Sequence, residues 1–178
     1  MLADQGAEGI KIEPPTGDNL RKYPSTLEAE NRAFLGVNRG KRGIVLNLKQ
    51  REALDVLISL VKQADVLVHN FRPSVPARLG ISYEQLREIN LRLIYCAVTG
   101  YGDSGPNKDK AGYDQVLQTM TGMCTLQGPK EGPPEVLYGS VVDYYAAALV
   151  SSSVASACSR ARRAAKASMS MCRCYAAR

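Results

Sequence analysis

The chain has 178 residues, 45% of them apolar, which is enough for one α/β domain with a hydrophobic core. No apolar run approaches the roughly 20 residues that cross a bilayer, and the opening around Asp4 is acidic, unlike a signal peptide. Composition therefore predicts a cytoplasmic protein that neither spans nor binds a membrane.

The net charge of +6 comes from the C-terminal end of the chain. No Asp or Glu follows Asp143, whereas six Arg and Lys residues do. Without these six, the 23 basic residues fall to 17 and equal the 17 acidic ones. A basic end could hold phosphate backbones non-specifically. We predict no specific nucleic-acid partner.

Five cysteines are present, and His69 is the only histidine. Cys172 and Cys174 therefore lack the further ligands that a zinc site requires. With no secretory signal, all five cysteines are predicted to be free thiols. We predict no metal site.

Strand-like and helix-like segments alternate from the N-terminus. Residues 10–12 predict a strand that stops before Pro14, and residues 43–46 predict a second. An amphipathic helix follows, because four apolar residues recur at helical spacing: Leu54, Leu57, Ile58 and Val61.

The alternation continues with a predicted strand at 65–68 that ends before Pro73. Ser82 and Gln85 form the pattern of a capping box, which predicts a helix start. Residues 93–98 predict a third buried strand, and two further helices are expected near Tyr113 and Asp143. This order predicts a doubly wound α/β fold with a mainly parallel sheet and flanking helices. Such folds bind ligands beyond the carboxyl ends of their strands.

Few residues carry an obvious chemical signature. Glycine-rich nucleotide loops and a Gly-x-Ser-x-Gly elbow are absent. His69 stands at a strand end, where a structural role is favoured. The turn at 70–73 could hold a phosphate or an adenine, although spacing alone favours a simple strand end. Asp143 could be a helix N-cap or a covalent nucleophile, and the residues by themselves leave both open.

Many short blocks, in their order along the chain, resemble the family III CoA-transferases, also called the CaiB/BaiF family. The resemblance runs from residue 2 to about residue 155, and the number of ordered blocks makes it specific. It implies that the chain is an incomplete large domain of that fold. The blocks are residues 2–15, 17–21, 38–42, 46–49, 64–73, 78–80, 92–95, 100–102, 112–114, 132–134 and 142–144.

The resemblance implies acyl-CoA and a carboxylic acid as substrates, an interlocked homodimer, and no permanently bound cofactor. Asp143 would attack the thioester to give a mixed anhydride, which CoA converts to an aspartyl-CoA thioester. An acceptor carboxylate would then take the CoA. The residues expected in the CoA site are Leu46, Asn47, Leu48, Lys49, Asn70, Phe71, Arg72, Arg78 and Tyr113.

Two other functions remain open. Racemases of the same family pair this aspartate with a histidine, and Tyr113 stands at the histidine's position. A tyrosine with a pKa near 10 is a poor base at neutral pH, so CoA transfer is favoured. The other alternative is a non-catalytic remnant with a basic tail that binds nucleic acid or acidic lipid.

The resemblance also implies a longer family chain, so both ends are expected to be truncated and the fragment itself inactive. We expect residues 1–157 to form the partial domain and residues 158–178 to be a disordered or out-of-frame basic tail. Read in a shifted frame, the codons of residues 166–174 can encode a Gly-Gln and Val-Asp motif of the family. A frameshift shortly before Cys158 would explain both the arginines and the cysteines of the tail.

Overall fold

The computed structural model describes residues 1–26 and 31–163, and the backbone of Cys172–Tyr175. The chain forms two compact units, Met1–Leu57 and Ile58–Arg178, with the division inside a helix. Every strand pairing in the described residues is parallel. The fold is α/β, as predicted.

The first unit contains a two-stranded parallel sheet of β1 (Gly9–Glu13) and β2 (Lys41–Val45), in which Ile12 pairs with Ile44. Asn31 begins α1, because its side-chain oxygen accepts the backbone N–H groups of Ala33 and Phe34 at 2.9 and 3.1 Å. The elements are β1 (Gly9–Glu13), α1 (Arg32–Asn38), β2 (Lys41–Val45) and the start of α2 (Arg51–Val61).

A charged cluster fixes the segment that follows β1. Glu13 is buried, and its two carboxylate oxygens accept hydrogen bonds from the Arg21 guanidinium, both of 3.0 Å. The same guanidinium lies 3.6 Å above the centre of the Phe34 ring. The hydrogen bonds and the cation–π contact stabilise this segment.

The second unit is built on a three-stranded parallel sheet with β4 (Ile94–Thr99) in the centre, between β3 (Val66–His69) and β5 (Cys172–Tyr175). Its core includes Tyr95 and Cys96 of β4, together with Ile81 and Leu86 from the segment before it. The elements are β3 (Val66–His69), α3 (Ser74–Leu79), α4 (Tyr83–Ile89), β4 (Ile94–Thr99), α5 (Asp114–Met120), α6 (Val141–Arg163) and β5 (Cys172–Tyr175).

The long helix α6 packs against β4 along one stripe, on which Val150, Val154 and Ala157 are buried. Their spacing of four and three residues is that of a single helix face. Within the described residues, α6 is the one helix whose length and composition would allow it to cross a membrane. One such helix is only weak evidence for a membrane span. The sequence analysis predicted no membrane-spanning segment.

The predicted strands and helices are present with bounds shifted by a few residues. The capping box is confirmed, because Ser82 and Gln85 each accept a backbone N–H from the other. Two differences stand out. The strands form two sheets instead of one. Helix α3 was not predicted, although its third residue is Pro76, a position in the first turn where proline is tolerated.

The predicted domain boundary between residues 157 and 158 falls inside α6, which continues to Arg163. Residues 164–171 and 176–178 of the predicted tail lie outside the described residues. Among the cysteines whose side chains are described, Cys96, Cys124 and Cys158 form no disulfide. In the same part of the chain, no group of three or more His, Cys, Asp or Glu side chains is placed to hold a metal ion.

Candidate active site

The carboxyl ends of β3 and β4 lie side by side, because the strands are parallel and His69 pairs with Ala97. The 70–73 turn leaves β3 at this edge, and Gly100 directly follows β4. Ligands of parallel α/β sheets bind at such edges. The predicted CoA-binding turn is therefore placed where the fold class predicts a ligand site.

The His69 side chain supports this turn through a hydrogen bond and a ring contact with Phe71. Its Nδ1 accepts the backbone N–H of Phe71 at 3.1 Å, and its ring stacks on the Phe71 ring with centroids 5.4 Å apart. Its Nε2 lies 2.7 Å from the Tyr95 hydroxyl, which donates to the Ile81 carbonyl at 3.1 Å. The structural role predicted for His69 is therefore confirmed.

These hydrogen bonds also determine the state of the imidazole. Because the Tyr95 hydroxyl donates to Ile81, it accepts from His69, so Nε2 carries the proton. Nδ1 must be unprotonated to accept the Phe71 N–H. Burial lowers the pKa of His69 to about 4, and burial likewise raises the pKa of Tyr95 to about 12. His69 is a neutral support and unsuited to serve as a base.

Beyond β4, Gly100 and Gly112 meet backbone to backbone. A Cβ on Gly112 would stand 2.6 Å from the Cα of Gly100, closer than real side chains allow. Two glycines are needed at this crossing because any side chain would separate the segments. The contact places Tyr113 and Asp114 next to the carboxyl end of β4.

Asp114 is the centre of a buried polar network. Only 3% of its surface is exposed, and the Gln118 beside it is fully buried. The Gln118 amide donates to Oδ1 of Asp114, and the Gln118 Oε1 accepts the backbone N–H of Leu137 at 2.9 Å. Oδ2 of Asp114 accepts the backbone N–H of Asp143 at 3.0 Å. The network ties the start of α6 to α5.

Asp143 is the third residue of α6, whose first turn includes the bond from the Tyr144 N–H to the Ser140 carbonyl. The N-cap interpretation is therefore wrong, because Asp143 lies inside the first turn. The residue as a whole is exposed. Partial burial of its carboxyl group, and then the negative charge of Asp114, raise the pKa of Asp143 above its ordinary value of 3.8.

The other predicted site residues divide between the two units. In the second unit, Asn70, Arg72 and Arg78 are exposed, and Arg78 lies in the last turn of α3. Tyr113 is 71% exposed and directly precedes α5. Residues 46–49 belong to the first unit, where Asn47 forms the turn into α2 by accepting the Lys49 N–H at 3.3 Å.

Sequence reasoning missed the residues that support the site. Asp114 appeared only as part of a matching block, and Gln118 and Tyr95 were given no role. A sequence signal exists for one of them, since Gly-Tyr-Asp at 112–114 places an acid two residues after a glycine, at the start of an expected helix. Tyr95 is 26 residues from His69, and Asp143 is 29 residues from Asp114 along the chain. Spacing alone does not reveal such pairs.

The geometry defines a class of protein: an α/β protein with a partly buried carboxylate, that of Asp143, held near the carboxyl edge of its parallel strands. The model of CoA-transferase family III matches residues 1–175, and the chain belongs to this family. It is 44% identical over 141 residues to the acetyl-CoA:oxalate CoA-transferase of Acetobacter aceti, covering 79% of this chain and 36% of that protein. It is 40% identical over 153 residues to the succinate–glutarate CoA-transferase of Agrobacterium fabrum, covering 82% and 38%.

Solved structures agree with the family assignment. A CaiB/BaiF family protein from Brucella suis is 33% identical and superposes with a TM-score of 0.87, over 95% of this chain and 46% of that one. A protein from Mycobacterium tuberculosis gives 32% identity and a TM-score of 0.88, over 98% and 48%. The chain thus spans less than half the length of the relatives it matches.

Proposed function

We propose that the protein transfers coenzyme A between an acyl-CoA and a carboxylic acid, with Asp143 as the acyl-accepting carboxylate. The observation that carries the proposal is that this chain, a member of the CoA-transferase family, places Asp143 in the first turn of α6. Asp143 is an exposed residue of the first turn of α6 whose carboxyl group is partly buried. Its backbone N–H donates to Asp114, which follows the Gly100–Gly112 contact at the carboxyl end of β4. The aspartate also stands in a block that resembles the family's nucleophile segment.

The chemistry needs no proton transfer, which suits a chain whose one histidine is held neutral. An oxygen of Asp143 forms a bond to the thioester carbonyl, the C–S bond breaks, and CoA thiolate leaves. The thiolate then attacks the Asp143 carbonyl of the mixed anhydride and expels the first acid as its carboxylate. The acceptor carboxylate displaces CoA thiolate from the aspartyl thioester. The thiolate attacks the new acyl group and returns Asp143 to a carboxylate.

The CoA contacts follow the same proposal. Arg72, in the turn that follows β3, and Arg78, in the last turn of α3, are exposed cations suited to the phosphates of CoA. Asn70 offers an amide in the turn that His69 supports, and Phe71 offers a half-buried ring. Residues 46–49 and Tyr113 complete the proposed set. No cofactor beyond the CoA substrate is invoked.

Short dicarboxylic acids are the first acceptors to test, because the names of similar proteins specify oxalate, glutarate and mesaconate. Racemisation is a weaker candidate, because it needs a base opposite Asp143. By the family resemblance, Tyr113 stands where racemases have that base, and the one histidine of the chain is engaged with Tyr95 and Phe71.

The test is covalent trapping on the full chain, which needs only the first half-reaction at Asp143 and not the complete turnover that the fragment is expected to lack. Incubation with acetyl-CoA or succinyl-CoA, followed by borohydride reduction of the aspartyl thioester to an alcohol, should modify the peptide that contains Asp143. Asp143→Asn should abolish the modification, and it is expected to fold because the side chain is exposed. Asp109→Asn, which changes another exposed aspartate, is the matched control. Modification of a different residue, or undiminished CoA exchange by Asp143→Asn, would overturn the proposal.

A cytoplasmic homodimer is part of the same proposal. Its support is the exposed apolar surface of α6, which includes Tyr144, Tyr145 and Leu149, exposed by 59%, 68% and 40%. A partner that covers this surface would remove it from water. Light scattering during size-exclusion chromatography should give twice the chain mass, and a monomer at every concentration would contradict the dimer.

The out-of-frame origin of residues 158–178 also stays a proposal. Its support is the absence of acidic residues after Asp143 and the three cysteines among the last 21 residues. Reading the nucleotide sequence in the shifted frame tests it. A frame without the family's Gly-Gln and Val-Asp motif would overturn it, and salt-sensitive nucleic-acid binding that is lost on deleting these residues would support a functional tail instead.

A further inference from the structure

We propose that Asp114 is a positioning residue for Asp143, and that it holds the first turn of α6 in the orientation that the reaction requires. The inference rests on the proposed function, because it assigns a purpose to the network around the proposed nucleophile. Asp114 does not contact the substrate in this proposal. It acts through the backbone of Asp143.

The first turn of a helix needs hydrogen-bond acceptors from outside the helix. The first N–H groups of α6 have no acceptor within the helix, so the turn that carries Asp143 is free to fray. Oδ2 of Asp114 supplies an acceptor from outside, 3.0 Å from the Asp143 nitrogen. A reactive oxygen must stay within a fraction of an ångström of its productive position, and fraying of this turn would displace it.

The carboxylate of Asp114 is itself held in place by a hydrogen bond to its other oxygen, Oδ1. The Gln118 amide donates to Oδ1, and Gln118 in turn accepts the Leu137 N–H at 2.9 Å. Both side chains are almost fully buried, so water does not substitute for a lost partner. Leu137 and Asp143 bracket the entry into α6, and one buried pair on α5 holds both of them.

The polarity of the pair is specific, and this gives a sharp test. Asp114→Asn replaces one acceptor by a donor. If the new amide donates toward Gln118, two donors face each other. If the Gln118 side chain flips so that its Oε1 accepts from the new amide, its NH₂ group then faces the Leu137 N–H, which is also a donor. Every arrangement leaves one buried mismatch.

The double variant Asp114→Asn with Gln118→Glu restores the pattern. The new amide oxygen accepts the Asp143 N–H, and the new NH₂ donates to the carboxylate introduced at position 118. That carboxylate also accepts the Leu137 N–H. The three short hydrogen bonds are kept while the charge moves from one side chain to the next.

The experiment measures the rate of covalent modification at Asp143 against acyl-CoA concentration, by mass spectrometry of the full chain. Asp114→Asn should lower the saturating rate about tenfold and leave the half-saturating concentration unchanged. The double variant should recover the wild-type rate to within about threefold. Asp109→Asn, an exposed change of the same chemistry, should stay within about twofold. Thermal midpoints of all variants report whether each one folds.

A measurement on the unchanged chain guards against variants that do not fold. By NMR hydrogen exchange, the Asp143 amide should be protected at least about tenfold more than the amide of Val142, its neighbour in the same turn. Equal exchange of the two amides would overturn the role of Asp114, whatever the variants do.

The outcomes separate this inference from the proposed function. If the wild-type chain is not modified at Asp143, both fall. If the wild type is modified and folded Asp114→Asn reacts at the same rate, the positioning role alone is wrong. A raised half-saturating concentration with an unchanged rate would likewise overturn it, because that would assign Asp114 to binding. A lowered rate that the double variant restores supports it.

Discussion

The Cα of Gly112 lies only 2.7 Å from the position that a Cβ on Gly100 would take. This contact brings the segment that carries Asp114 against the end of β4, so the location of the proposed nucleophile depends on two residues that have no side chain.

Alanine at either glycine should therefore destabilise the second unit. For Gly100→Ala we expect a loss of about 1–3 kcal/mol in the free energy of unfolding, because backbone must move to admit the methyl group. Urea unfolding followed by circular dichroism measures it. Gly36→Ala, on α1 where no atom lies within 4 Å of the added carbon, should be neutral or stabilising by about 0.5–1 kcal/mol. Equal stabilities of Gly100→Ala and wild type would contradict the contact.

The carboxyl of Asp143 should titrate above the ordinary aspartate value of 3.8, because it is partly buried and lies near the charge of Asp114. Carbon-13 NMR of the carboxyl group gives the midpoint without any need for activity. Asp114→Asn should move the midpoint down but not fully back, since burial is the larger cause. As pH falls through this pKa, modification by acyl-CoA should slow, because the protonated acid is a poor nucleophile. A midpoint at or below 3.8 would be inconsistent with the geometry described.

The buried state of His69 should make stability depend on pH. Its pKa of about 4 in the folded chain lies below the ordinary 6.5, so the unfolded chain binds the proton first. The stability contribution is fully present above pH 6.5 and is lost as pH falls toward 4. The change should be on the order of 2 kcal/mol, after allowance for partial exposure. His69→Gln, measured by urea unfolding from pH 4.5 to 7.5, should lack this slope. A variant with the wild-type slope would refute the assignment to His69.

In the first unit, Arg21→Met should destabilise the fold by about 2 kcal/mol, because it leaves the buried Glu13 carboxylate without its main partner. The Arg21 hydrogen bonds lower the pKa of Glu13 below 4.5. The stabilisation should therefore disappear as pH falls below that value. Lys22→Met, at the exposed neighbouring position, is the control and should change stability by less than about 0.5 kcal/mol. Similar losses for both variants would contradict the role of the pair.

Local features could be predicted from the sequence, since their causes lie within a few residues. The Ser82–Gln85 capping box is such a case, as is the apolar stripe of α2. The family resemblance placed Asp143 in its block for a different reason, because ordered motifs identify a whole fold at once. Helix α3 was missed because Pro73 and Pro76 suggest a break, although both stand at its beginning.

The supports of the site could not be predicted in this way. The hydrogen bond from Asp143 to Asp114 joins residues 29 apart, and that from His69 to Tyr95 joins residues 26 apart. Their formation depends on which strands pair and on the crossing at Gly100, neither of which has a periodic signature. The division of the strands into two sheets escaped prediction for the same reason.

The hydrogen bond from the Leu137 N–H to Gln118 joins the two ends of the loop that follows α5. The chain leaves α5 near Thr121 and returns to the same helix at Leu137, so the excursion between them begins and ends at fixed points. Within it Cys124 is buried, so changes confined to the exposed residues 128–135 should leave the backbone of Asp143 in place. Loop exchange between relatives at these positions could vary the length of the chain while the reactive group stays where it is.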